Sequence, residues 1–98
     1  MQIFKDKELT QEIGTNFDFG IVPAGETRTY EYYVKNNKSS LLKQLTFSVA
    51  HEELKILEYP TEIQAFDVKK LVIVWSPSVT LEEGLRVELR VLGIELFG

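Results

Sequence analysis

Apolar and polar residues alternate along much of this chain with the two-residue period of a β-strand. Leucine and valine alternate with arginine and glutamate over residues 85–91, which is typical of a strand with one buried face. Residues 29–35 show the same period, and residues 71–75 are continuously apolar, as in a strand with both faces covered. Shorter strands are predicted over residues 55–59 and 94–97. The hydrophobic pattern therefore predicts a β-protein.

Residues 39–57 are the stretch in which a helix competes with a strand. Leucines and a valine at helical spacing would form an apolar stripe there. However, Leu45, Phe47 and Val49 also alternate with threonine, serine and alanine, and this composition favours a strand. We therefore predict a strand.

Turn-forming residues stand between the predicted strands. Seven or so short strands within 98 residues predict an all-β sandwich of antiparallel strands, in a single domain spanning residues 1–98. Residues 1–14 are predicted to form either an edge strand of this domain or an arm that pairs with a neighbour's sheet, and the C-terminal segment has the same two options. The turn signals are Pro23-Ala24-Gly25, Asn36-Asn37, Tyr59-Pro60, Ser76-Pro77 and Glu83-Gly84.

The alternation also predicts the direction of each side chain. Tyr33, Val72 and Val74 are predicted to face outward, and Leu92 and Phe97 extend this outward apolar surface. Tyrosine is enriched at interfaces, and outward valines need cover from a loop, the N-terminal segment or a partner. We predict these five as contact residues for a protein partner or a second copy, although the Tyr33 ring could instead lie over a neighbouring strand. The residues predicted to face the core are Tyr30, Tyr32, Val34, Leu71, Ile73 and Trp75.

Composition and charge exclude several classes of function. The net charge is −4 and no run of lysine or arginine exceeds two residues, which argues against a nucleic-acid surface. The chain has no cysteine, so disulfides, zinc–thiolate sites and thiol nucleophiles are excluded. The first residues are charged where a signal peptide is apolar, and the longest apolar run is too short to span a bilayer. We expect no nucleic-acid or membrane partner, and a location in the cytoplasm or within an assembly such as a virion.

Few residues suggest catalytic or metal chemistry. His51 stands next to two glutamates, but one histidine does not make a metal site and neighbours on a strand point to opposite faces. Ser76 and Ser78 flank Pro77 without the sequence of a nucleophile elbow, and they are better explained as a stiffened turn. We predict no catalytic residue, no metal site, no cofactor and no small-molecule substrate.

The stretch FDFGIVPAGETRTYEYYVKNN, residues 17–37, resembles the start of Hydin-type immunoglobulin-like domains, which are related to major-sperm-protein and PapD-like sandwiches. The shared features are Phe19-Gly20, the turn glycine Gly25, the strand after it and the closing Asn36. The later LVIVWSP segment resembles the family strand that leads into a proline. The resemblance covers residues 17–92 and departs from the family where IQAFDVKK replaces a Pro-Gly turn. It implies an immunoglobulin-like β-sandwich of about seven antiparallel strands with a scaffolding or protein-binding role.

Two classes of function follow from these observations. The first is a non-enzymatic structural or interaction module, a small subunit of a larger assembly such as a viral capsid, tail or decoration protein, or a cytoskeletal adaptor. The alternative is a β-sandwich that binds carbohydrate or another small ligand. Such a site would use exposed aromatic rings for stacking, and the alternation places the single tryptophan, Trp75, inside.

Overall fold

The fold is a sandwich of two antiparallel β-sheets with four strands each. The computed structural model describes residues 1–96, which form no helix. The strands are β1 (Gln2–Phe4), β2 (Asn16–Gly20), β3 (Arg28–Lys35), β4 (Leu41–Val49), β5 (Leu54–Glu58), β6 (Glu62–Ile63), β7 (Val68–Trp75) and β8 (Leu85–Leu96). The first sheet has the order β1-β3-β7-β5, and the second has the order β2-β8-β4-β6. The predicted all-β sandwich is confirmed, with eight strands where about seven were expected.

The ambiguous stretch over residues 39–57 forms β-structure, so the competing helix is excluded. β4 occupies its first part and β5 begins at Leu54. Leu45 is buried and Phe47 and Val49 are half-buried against the core, while the residues between them are exposed. The two-residue period was therefore the correct signal, because it matches the two faces of a sheet.

The core contains the residues whose inward direction was predicted. Trp75 is 0% exposed and its indole N–H has no hydrogen-bond partner among the described residues. Tyr32 is buried and stacks on Phe17, with ring centroids 4.5 Å apart. Burial, the largest cause, raises the pKa of the Tyr32 hydroxyl, so this side chain remains neutral. Tyr30 is only half-buried, because its hydroxyl reaches the rim and donates to the carbonyl of Phe19 at 3.0 Å.

The β8 strand is continuous where two strands had been predicted, over residues 85–91 and 94–97. Its register with β4 shifts between Lys43 and Thr46, so two residues of β4 lie opposite Gly93. This β-bulge bends β4 and leaves β8 extended. Because the extra residue belongs to β4, β8 keeps its alternation through Gly93 without a break.

Gly93 is required at the bulge because Leu45 occupies the space of a side chain. A Cβ atom built on Gly93 would lie 2.5 Å from Cδ2 of Leu45, whose side chain is buried. Gln44, the residue before Leu45, has a φ of 54°, and this left-handed conformation turns Leu45 into the core.

The buried side chain of Asn36 joins the two sheets at one end of the sandwich. Its amide nitrogen lies 2.6 Å from the carbonyl oxygen of Ser40, 3.1 Å from that of Ile63 and 3.2 Å from that of Gln64. Its side-chain oxygen accepts the N–H of Lys38 at 3.1 Å. Asn36 follows β3 of the first sheet, whereas its partners precede β4 or lie at β6 of the second sheet. One side chain thus connects three chain segments.

A second polar contact ties the end of β8 to this cluster. The Ser40 hydroxyl donates to the Glu95 carboxylate at 2.6 Å, and Lys38 lies 3.6 Å from the same carboxylate. The Ser40 hydrogen bond is the largest cause that lowers the pKa of Glu95, and Lys38 adds to it.

The chain changes sheets between β1 and β2. The N–H of Ile13 donates to the carbonyl of Ile3 at 2.9 Å, so this part of the chain follows β1 in the first sheet. Gly14 has a φ of 65°, a left-handed conformation that glycine adopts without steric cost. The carbonyl of Thr15 then accepts the N–H of Leu89 at 2.8 Å, and from there β2 pairs with β8.

We predict that Asn36→Ala lowers the free energy of unfolding by about 2–4 kcal/mol, because buried carbonyl oxygens lose their donor. Urea unfolding followed by the fluorescence of the single tryptophan, Trp75, measures the change. The adjacent, exposed Asn37 provides the control, since Asn37→Ala should change stability by less than about 0.5 kcal/mol. Equal effects of the two substitutions would show that the Asn36 contacts do not stabilise the fold.

We predict that Gly93→Ala destabilises the protein by about 1–3 kcal/mol, because the added methyl group overlaps Leu45. Leu45→Ala alone should cost about 2–5 kcal/mol through the cavity that it creates. The double variant should be more stable than the sum of the two losses implies, since the smaller side chain at 45 makes room for the methyl group. Strictly additive losses in a double-mutant cycle would contradict the contact.

We predict that Ser40→Ala moves the pKa of Glu95 upward toward its usual value, whereas the exposed neighbour Ser39→Ala leaves it unchanged. Because the folded-state pKa of Glu95 lies below the unfolded value, its contribution to stability is present above the unfolded pKa of about 4.5 and is lost as pH falls through the folded pKa. A carboxyl titration by NMR measures the pKa. An unchanged Glu95 titration in Ser40→Ala would show that the hydroxyl does not hold the carboxylate.

Candidate interaction surfaces

The predicted contact residues do not form one surface. Tyr33, Val72 and Val74 lie on the outer face of the first sheet, the face turned away from the core. Leu92 lies on the outer face of the second sheet, on the opposite side of the sandwich. Phe97 lies outside the described residues. Alternation predicts the direction of a side chain on its own strand, but it does not say which sheet the strand joins.

Val72 and Val74 are half-buried by residues on neighbouring strands. Val72 lies opposite Glu31 of β3 on one side and Glu58 of β5 on the other. Val74 lies opposite Lys55 of β5. Directly opposite residues of antiparallel strands share a face, and long charged side chains cover apolar neighbours with their methylene groups. These side chains supply cover that had been expected from a loop, the N-terminal segment or a partner.

The N-terminal segment forms an edge strand and a loop beside the outer face of the first sheet. β1 pairs with β3 of the same chain. The Asp6 carboxylate accepts the N–H of Thr10 at 3.0 Å, the N–H of Gln11 at 2.8 Å and the hydroxyl of Thr10. The Thr10 hydroxyl is the largest cause that lowers the pKa of Asp6. These bonds hold the loop in a conformation in which Leu9 has a φ of 60°.

Tyr33 contributes to a groove between this loop and the first sheet. The groove has a volume of about 360 Å³. Tyr33 is half-buried, and its hydroxyl donates to Glu31 at 3.4 Å. Two of the groove lysines already have partners, since Lys70 lies 3.7 Å from Glu31 and Lys69 lies 3.6 Å from Asp67. The chain itself therefore partly neutralises the positive charge of the groove. It is lined by Lys7, Leu9, Tyr33, Val68, Lys69 and Lys70.

Leu92 and Ile94 form the most exposed apolar pair within a strand of the described chain. Leu92 is 71% exposed and Ile94 is 45% exposed, and both point away from the core on β8. Opposite them on β4 stand Thr46 and Lys43, which leave both side chains open to solvent. The prediction missed Ile94 because it began a new strand at that residue. The alternation that places Arg90 outward continues unbroken through positions 92 and 94, and that signal would have identified it.

The same part of β8 has an unpaired backbone edge. β2 pairs with β8 as far as Glu88, and beyond the bond from Leu89 to Thr15 the chain has crossed to the first sheet. Within the described chain, residues 90–96 of β8 have β4 on one side and no strand on the other. We call this unpaired side the free edge of β8. Hydrogen-bonding groups alternate sides along a strand. The N–H of Leu89 points toward β2, so Val91, Gly93 and Glu95 direct theirs to the free edge.

The residues considered for catalysis take part in loop contacts instead. Nδ1 of His51 accepts the N–H of Glu53 at 3.2 Å, and the Glu53 carboxylate accepts the N–H of Ser78 at 2.9 Å. The Ser78 hydrogen bonds are the largest cause that lowers the pKa of Glu53. The Ser76 hydroxyl lies 2.9 Å from the hydroxyl of Thr27. Among residues 1–96, no group of three or more histidines and carboxylates is placed to hold a metal ion.

No helix with the length and hydrophobicity needed to cross a membrane occurs in the described residues. Comparisons of this chain with models of protein families, with curated proteins and with solved structures find no match. The resemblance of residues 17–92 to Hydin-type immunoglobulin-like domains therefore remains a prediction from the sequence.

Proposed function

We propose that this chain is a non-enzymatic structural or protein-interaction module that works as a small subunit of a larger assembly. The observation that carries the proposal is the free edge of β8, where unpaired backbone groups lie next to the exposed Leu92 and Ile94. Unpaired strand edges are templates for another strand, and exposed apolar side chains beside them add contact area.

The other sheet edges support this choice because they carry features that discourage pairing. β5 has a bulge between Ile56 and Glu58, and β2 has one between Asp18 and Gly20. β6 has only two residues and β1 only three. Bulges and short strands protect edges from association. Along the free edge of β8, by contrast, the outward positions 92 and 94 are apolar and the bulge lies on β4, away from this edge.

The proposal extends to the kind of assembly and its location. A single small module with an open sheet edge suits a capsid, tail or decoration subunit of a virus, or a cytoskeletal adaptor, in the cytoplasm or in a virion. The net charge of −4 favours a protein partner over a nucleic acid. The contacts made by His51, Glu53 and Ser76 leave these groups engaged in loop structure, which favours a binding role over catalysis.

We predict that Leu92→Lys/Ile94→Lys releases the chain from its assembly, because lysine side chains beside a strand edge discourage pairing and the apolar contact area is lost. In extracts of the native host, the epitope-tagged chain should sediment as a complex larger than its 11.3 kDa mass, and the double variant should sediment as the free chain. Val79→Lys, a loop position that is 64% exposed, serves as the control and should leave the complex intact. A tagged chain that sediments as a monomer in the extract, or a complex that survives the double substitution, would contradict the proposal.

A further inference from the structure

We infer that the strand that occupies the free edge of β8 is β8 of a second copy, paired antiparallel across a two-fold axis near Gly93. This inference rests on the proposed function and specifies its partner. The pairing would join the second sheets of two copies into one continuous eight-stranded sheet, since each second sheet has four strands.

The hydrogen-bonding groups of the free edge match under this symmetry. Val91, Gly93 and Glu95 direct their N–H and C=O groups outward, as fixed by the bond from Leu89 to Thr15. A two-fold axis at Gly93 places Val91 opposite Glu95 of the second copy, and Gly93 opposite Gly93. The symmetry gives three such pairs, and in an antiparallel ladder each pair exchanges two hydrogen bonds, which makes about six in all. Every outward-directed group of residues 91–95 would thus meet a partner.

The exposed side chains also match. The same axis places Leu92 of each copy opposite Ile94 of the other, on the outer face of the joined sheet. These positions form non-hydrogen-bonded pairs, in which facing side chains approach most closely. Leu92 and Ile94 are the exposed apolar residues of β8, so the pairing brings the open apolar side chains of the two copies into contact with each other. An interface in which each patch contacts its own copy is the usual form of a two-fold dimer.

The extent of the free edge agrees with a two-fold axis at Gly93. The described part of the free edge runs from residue 90 to residue 96. The next position toward the start of β8 is Leu89, which is already bonded to Thr15. This bond limits the pairing to residues 90–96, and an axis at Gly93, the centre of this range, pairs all of it with the same range of the second copy.

Sedimentation velocity of the purified chain alone, over a range of concentrations, tests self-pairing. We expect a concentration-dependent species of twice the 11.3 kDa chain mass, weakened about 100-fold or more by Leu92→Lys/Ile94→Lys. Val79→Lys is again the control. Native Trp75 fluorescence shows that each variant is folded. A purified chain that stays monomeric overturns the inference. If the complex in host extracts still depends on positions 92 and 94, the proposed function stands with a different protein on the free edge.

Because the chain has no cysteine, engineered thiols test the register directly. Leu92→Cys and Ile94→Cys variants, one of them carrying an affinity tag, are mixed and mildly oxidised. Positions 92 and 94 face each other across the axis at about 4.5–5.5 Å between Cβ atoms, near disulfide range. The mixed dimer should therefore form at least several-fold faster than either homodimer. Equal rates in all three samples, or equal cross-linking by a Leu57→Cys control at the 63% exposed position on β5, would overturn the register.

Discussion

The hydrogen bonds of the buried Asn36 amide are the constraint on which the rest of the sandwich depends. Its nitrogen contacts carbonyl oxygens in the segment before β4 and at β6, while its own backbone continues from β3 of the other sheet. If the Asn36 amide were removed, these carbonyl groups would lose a hydrogen-bond donor. The contact therefore fixes how the two sheets meet at this end, and the Ser40–Glu95 bond extends it to β8.

The free edge of β8 arises from the path of the N-terminal segment. The chain that could have covered residues 90–96 follows β1 instead, and it reaches the second sheet only after Gly14. The outer face of the first sheet, unlike the free edge of β8, is partly covered by the Asp6 loop and by the charged neighbours of Val72. The chain thus covers part of the outer face of the first sheet. On β8, by contrast, the backbone groups of the free edge and the side chains of Leu92 and Ile94 are exposed to solvent. This asymmetry favours β8 over the Tyr33 groove as the site of the contact that we propose.

The direction in which each side chain points from its strand was predictable from the sequence. The place of each strand within the sandwich was not. Alternation correctly predicted the buried Tyr32, Ile73 and Trp75, because burial of one sheet face imposes a two-residue period. The prediction ended one strand at Val91 and began another at Ile94, so it missed Ile94 as an outward residue, although the alternation continues through positions 92 and 94. The outward direction of Val72 and Leu92 could be read from the chain, but their separation onto opposite faces depends on which sheet each strand joins.

By itself, the sequence determined a small all-β chain with alternating faces, turns at proline, glycine and asparagine, and no cysteine chemistry. These are local properties, which depend on side-chain size, polarity and backbone freedom. Only the tertiary structure decided that Asn36 joins the sheets and that Leu45 occupies the space next to Gly93. It also decided that the free edge of β8 has no neighbouring strand within the described chain. Those features depend on residues that are distant along the chain and adjacent in space, so no local pattern contains them.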